Sequence, residues 1–206
     1  SMATPERAPQ PISVAKAAPP TESPWHIVTI EALFDLQQHA ELFVSVGQHV
    51  QAVEVLKKGQ QLEPNNPRAN LQLALTLEAA GQMREALPIY ENVVRLDPGN
   101  VIALNNLAFQ YADLNRDLDM ALTYAQKAKQ RAPNSDDISD TLGWVYVKKR
   151  LNDSAIVLYK DLLKRQPKNA LYHYHMGMAL YQKGSKDEAR QALQTALSLK
   201  PAKAEE

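Results

Sequence analysis

The sequence contains no cysteine, which excludes disulfides, thiolate metal sites and cysteine nucleophiles together. It contains no apolar run near the ~18 residues that a membrane span requires, so direct membrane insertion of this segment is not expected. Neither charge is in excess. With 23 Lys and Arg against 23 Asp and Glu, nucleic acid is not an expected partner. There is no glycine-rich phosphate loop, nucleophile elbow or paired catalytic carboxylate. Catalytic, cofactor-binding and metal residues are therefore all expected to be none, and enzymatic activity is not expected. The nearest approach to a metal motif is "HYH" at 173–175, but residues two apart on a helix point to opposite sides, and no carboxylate converges on them.

What the sequence does contain is a period. Pro64, Pro98, Pro133, Pro167 and Pro201 are spaced by 34, 35, 34 and 34 residues. Twelve residues before each stands an alanine: Ala52, Ala86, Ala121, Ala155 and Ala189. Two residues after the first four stand residues that cap helix N-termini, Asn66, Asn100, Ser135 and Asn169. Each unit predicts two helices of about fourteen residues joined by a short turn. The turn holds Gly47, Gly81 and Gly184 in three units and polar residues near Asn115 and Arg150 in the others. Pro67 fits a first helical position, and the registered prolines stop each second helix. Two features depart from the period: an extra residue in "DLNRDLDMA", and Pro88 within a second helix, which it is expected to bend.

The stretch "LGWVY" with Ala155, Tyr159 and Pro167, and "LAFQY" at 107–111 with Ala121 and Pro133, resembles the tetratricopeptide repeat (TPR). The resemblance covers residues 33–203. It implies an all-α, right-handed superhelical solenoid of five helix-turn-helix hairpins: 33–66, 67–100, 101–135, 136–169 and 170–203. Their first helices would line a concave groove. Residues 1–24 hold six of the 13 prolines and read as an extended tail or linker. These prolines never fall three apart, against a PxxP ligand. Residues 25–32 are expected to form a lead-in covering the first repeat, and 204–206 a short tail. The opening "SMATPER" reads as an expression scar rather than a native terminus, so leader and anchor stay open.

On each first helix, residues one turn apart form a packing face: Leu73 and Leu77, Leu107 and Tyr111, Leu142 and Tyr146, Met176 and Leu180. Ala40, Ala74, Ala108, Gly143 and Gly177 allow helices to approach closely. Trp144 lies about 200° from its neighbours on that face and is expected to look into the groove. The same column holds Glu41, Leu75, Phe109 and Met178. The columns a turn away hold Leu71, Asn105, Asp140 and Tyr174, and Glu78, Ala112, Val147 and Tyr181. Candidate peptide-binding residues are Leu71, Leu75, Asn105, Asn106, Phe109, Asp140, Trp144, Tyr174, Met178 and Tyr181. Asn105 and Asn106 would either pair with a peptide backbone or bond neighbouring helices. On this expectation Trp144→Ala spares melting and weakens binding by about 2 kcal/mol.

One TPR subset grips a C-terminal carboxylate through basic residues on successive first helices. Here the first helices of repeats one and three carry no Lys or Arg, which disfavours that clamp. The leading expectation is a noncatalytic scaffold that holds an extended peptide or helix of a partner protein in the groove of repeats three to five. A self-assembling oligomer built through the array ends and the tail is an alternative, with Leu193, Ala196 and Leu197 as self-association residues. Another is the recruiting domain of a larger enzyme or of an envelope or export complex. "ALNNLAFQYAD" and "DTLGWVYVKK" resemble bacterial TPR proteins linked to envelope and exopolysaccharide export, and "EALFDLQQHAELFVSVGQHVQAVEVL" is similar to segments near pilus-assembly scaffolds. The resemblance implies a soluble bacterial protein, in the cytoplasm or on the periplasmic side of an envelope complex.

Overall fold

A computed structural model describes residues 25–199, with side chains from residue 32 onward. Among them are ten α-helices and no strand, arranged as five antiparallel pairs in a superhelical solenoid. The pairs are α1 (Trp25–Ser45) with α2 (His49–Leu62), α3 (Pro67–Ala79) with α4 (Met83–Leu96), α5 (Val101–Asp113) with α6 (Leu118–Arg131), α7 (Asp136–Lys148) with α8 (Asn152–Arg165), and α9 (Ala170–Lys183) with α10 (Lys186–Leu199). Each second helix packs on its own partner, and α2, α4, α6 and α8 also pack on the first helix of the next pair.

The cap residues read from the sequence do what their chemistry allows. The Asn66 side chain accepts from the amides of Arg68 and Ala69, Asn100 from Ala103, Ser135 from Ile138, and Asn169 from Leu171 and Tyr172. All five hairpin turns contain a left-handed residue at one equivalent position: Gly47, Gly81, Asn115, Arg150 and Gly184. In each, two amides fold back onto the end of the first helix. In the fourth, Arg150 donates to the Val147 carbonyl and Leu151 to the Tyr146 carbonyl, which satisfies orphan acceptors at the helix end. The extra residue of the third unit is accommodated between Asn115 and Asp117, and Asp117 caps α6 through the Met120 amide. α4 continues as one helix through Pro88, whose ring projects from an exposed position.

The registered alanines form the spine. Ala52, Ala86, Ala121 and Ala155 are inaccessible to solvent, and Ala189 nearly so. Gly143 and Gly177 are required by contact rather than by φ. A Cβ on Gly143 would fall 2.7 Å from the Tyr159 ring, and one on Gly177 would fall 2.7 Å from Leu193.

Three expectations change. The boundary drawn at residue 33 moves, because α1 already begins at Trp25 and residues 25–32 are its first turns. The exposed C-terminal face is smaller than the sequence suggests. Ala196 is 3% exposed and Leu193 packs against Gly177, so of the three proposed self-association residues only Leu197 is well exposed. The third concerns Trp144 and belongs to the groove. Residues 1–24 and 204–206, read as tails, lie outside the described residues.

Candidate binding groove

The first helices do not line the groove evenly. α7 packs against both α5 and α9, whereas α3 makes at most glancing contact with α5. α7 is consequently buried around much of its circumference, through Ile138, Ser139, Thr141, Leu142, Gly143, Trp144, Val145 and Val147. This corrects the expectation for Trp144: its phase does face away from Leu142 and Tyr146, yet only 8% of it is exposed. Two side chains cover the indole. The His175 imidazole stacks on it with centroids 4.5 Å apart and planes inclined by 25°, and the Lys148 ammonium lies 4.8 Å from its centroid. Tyr174 packs next to His175 at 5.6 Å.

Beneath that stack is a buried polar cluster. His175 Nδ1 lies 2.8 Å from Asp140 Oδ1 and 3.1 Å from the Tyr159 hydroxyl, which donates to the Asp140 carbonyl at 2.9 Å. Asp140 is thus already engaged with α9. A second cluster joins repeats two and three. Tyr90 donates to Glu78 at 2.6 Å, and Asn106 donates to the Tyr90 hydroxyl at 2.8 Å. Asn106 therefore bonds neighbouring helices and is not left to meet a peptide. Asn105 differs, because its Oδ1 has no partner.

Burial and adjacent carboxylates push both buried phenols above their ordinary value of 10.0: Tyr90 through desolvation and Glu78, Tyr159 through desolvation and Asp140. The sequence singled out Tyr159 only as part of the repeat motif and 173–175 only as a metal candidate. The usable signal was the 34- or 35-residue register, in which Tyr90 and Tyr159 share one position and Asn106 and His175 another.

At the groove surface, Leu75 and Phe109 are each 39% exposed, Tyr174 42% and Tyr181 62%. Leu71 and Met178 are partly buried against the core. The candidate residues thus divide into an exposed apolar row and a sealed floor of Trp144, Asp140 and Asn106. Among the described residues no group of three or more His, Cys, Asp or Glu could hold a metal ion, and no helix is long and apolar enough to cross a membrane.

Tetratricopeptide-repeat models match residues 67–109 and 141–204. The chain belongs to the tetratricopeptide-repeat family. Among solved structures, this TPR array resembles MamA 41-end from Desulfovibrio magneticus RS-1 with a TM-score of 0.71 at 18% identity, covering 84% of this chain and 97% of that one. A second MamA structure gives 0.69 at 24% identity, covering 82% and 92%. YrrB, described as a TPR protein with an unusual peptide-binding site, gives 0.68 at 19% identity, covering 85% and 93%. At these identities the likeness concerns the fold. The human protein O-mannosyl-transferase TMTC1 is 28% identical over 164 residues, which is 78% of this chain and only 18% of that protein.

Proposed function

We propose that this TPR array is a noncatalytic interaction scaffold whose groove holds an extended or helical segment of a partner protein. The observation that carries the reading is the row of Leu75, Phe109, Tyr174 and Tyr181, exposed by 39% to 62% at related helical phases in repeats two, three and five. Apolar side chains normally hide, and a registered row of exposed ones marks a surface meant to be covered. Leu71, Met178 and Asn105 border it, and the unpartnered Asn105 Oδ1 is an acceptor that a peptide amide could use once neighbouring side chains move. Trp144 and Asp140 support this row from below. The description of YrrB as a peptide binder is in line with the reading.

The test is a peptide selected from a random display library against the folded chain. Phe109→Ser and Tyr174→Ser should each weaken it about 5- to 30-fold, while Val157→Ser, 70% exposed on a second helix, should leave it unchanged. Selected peptides indifferent to both groove substitutions would sink the proposal.

A second reading, self-association through the array ends, is favoured by Leu42 and Val46 at 60% exposure and Leu197 at 69%. Mass measured by light scattering across a concentration series, with and without Leu197→Lys, decides it. Service as the recruiting part of a longer protein is favoured by the TMTC1 alignment, in which the matched segment is a minor share of the whole.

A further inference from the structure

The exposed apolar row lies among charges that the neutral composition of the chain conceals. The groove columns carry Glu41, Glu78 and Asp140, and the same helical phase is shared by Asp113, four residues after Phe109, Asp137, seven before Trp144, Arg68, seven before Leu75, and Lys148, four after Trp144. Lys148 is committed to Asp113, 3.9 Å away, and to the indole face of Trp144. Glu41 and Asp137 are exposed and form no ion pair with any described residue.

Helix stability does not account for this distribution. A carboxylate helps a helix in its first turn and opposes the macrodipole in its last. Asp137 does lie in the first turn of α7. Glu78 and Asp113 lie in the last turns of α3 and α5, and Glu41 lies in the C-terminal half of α1, where cations would be the stabilising choice. Off the groove, two second helices follow the usual preference, with Lys129 and Arg131 ending α6 and Lys164 and Arg165 ending α8. Glu78 is accounted for by the hydrogen bonds it accepts from Tyr90 and Asn106, whereas Glu41 and Asp113 place negative charge along the groove at some cost to the helices that carry it.

We infer that the partner segment is basic as well as apolar, with Lys or Arg side chains alternating with aliphatic or aromatic ones. This rests on the groove reading above. The apolar side chains cover Leu75 and Phe109, with Tyr174 further along, and the cations meet Glu41 on α1 and Asp137 on α7, the first helices on either side of Leu75 and Phe109. Glu41 and Asp137 stand on the first helices of repeats one and four, so a segment that meets both is an extended one that follows the groove.

The experiment measures fluorescence anisotropy of labelled short peptides of alternating Leu and Lys, Leu and Ser, or Leu and Glu on the full chain at low and high salt. The Lys peptide should bind most tightly, lose affinity with salt, and lose about tenfold on Glu41→Lys with Asp137→Lys. Glu54→Lys with Glu188→Lys, exposed acids on second helices, should leave it unchanged. The two double variants should melt alike, since each reverses one exposed first-turn carboxylate, Asp137 of α7 or Glu188 of α10. Equal binding of the Lys and Ser peptides, or equal effects of the two double variants, overturns the charge inference and leaves the groove reading standing. If Phe109→Ser with Tyr174→Ser weakens none of the peptides, both fall.

Discussion

Phe109 and Trp144 occupy the same position in consecutive first helices, and the structure treats them oppositely: 39% of one is exposed and 8% of the other. What separates them is the helix that follows. His175, one repeat beyond Trp144, stacks on the indole, and α7 is held against both neighbouring first helices. Thr141 stands at the position equivalent to His175 one repeat earlier, and it offers no ring to cover Phe109. Equivalent phase on a solenoid helix is thus not equivalent environment.

Truncating both residues gives the largest expected difference. Trp144→Ala should cost about 3–5 kcal/mol in stability, because it empties a packed slot lined by Lys148 and His175. Phe109→Ala should cost under about 1 kcal/mol and show its effect in partner binding instead. Chemical denaturation of the two variants side by side is the measurement. If Trp144→Ala unfolds with the wild type, the stacking does not hold the repeat together and the comparison collapses.

That outcome would restore what the sequence suggests for Trp144, and the reason the two differ shows where sequence reading stops. Period, caps, registered alanines and the left-handed turn positions are local: each depends on residues within a few positions, so each is legible. The small residues at 143 and 177 also read correctly, as places of close approach. Burial of Trp144 depends on a side chain 31 residues away and on how tightly α5, α7 and α9 draw together. Helical phase carries no information about either. The sequence leaves Asn106 between a groove contact and a bond to a neighbouring helix for the same reason, since the partner that decides it is Tyr90 on α4.

The two tyrosine clusters sharpen the comparison further. Tyr90 and Tyr159 are both 0% exposed at equivalent positions, one bonded to a carboxylate and an amide, the other to a carbonyl and an imidazole. Alanine stands at the position between them, Ala125, so the third pair contributes no such anchor. Both phenols have folded values raised above the ordinary 10.0. The folded state therefore keeps protons that the unfolded chain releases above that pH. Stability is unaffected below pH 10 and falls as pH rises beyond it, by up to about 1.4 kcal/mol per pH unit for each phenol. Tyr90→Phe and Tyr159→Phe should each lower stability at neutral pH by about 1 kcal/mol through lost hydrogen bonds and flatten that alkaline slope. Denaturation midpoints from pH 8 to 11 check both, and an unchanged slope in the double variant would assign the alkaline loss elsewhere.

The smallest effect lies in the turns, where the repeats are most alike in geometry and least alike in sequence. Arg150 has φ of 58° where the first, second and fifth hairpins have glycine. A side chain in that region costs roughly 1–2 kcal/mol, and glycine returns part of the gain as added freedom of the unfolded chain. Arg150→Gly should therefore stabilise by about 0.5–1 kcal/mol and raise the melting temperature by roughly 2 °C. No described residue forms an ion pair with Arg150, so little is lost with its charge. Gly81→Arg is the reciprocal test, because a Cβ there meets nothing within 4 Å and any penalty comes from the backbone alone. Equal and opposite shifts would show that the turn sets the cost. A loss on Arg150→Gly would instead mean that the guanidinium makes a contact at the hairpin edge that outweighs its strained backbone.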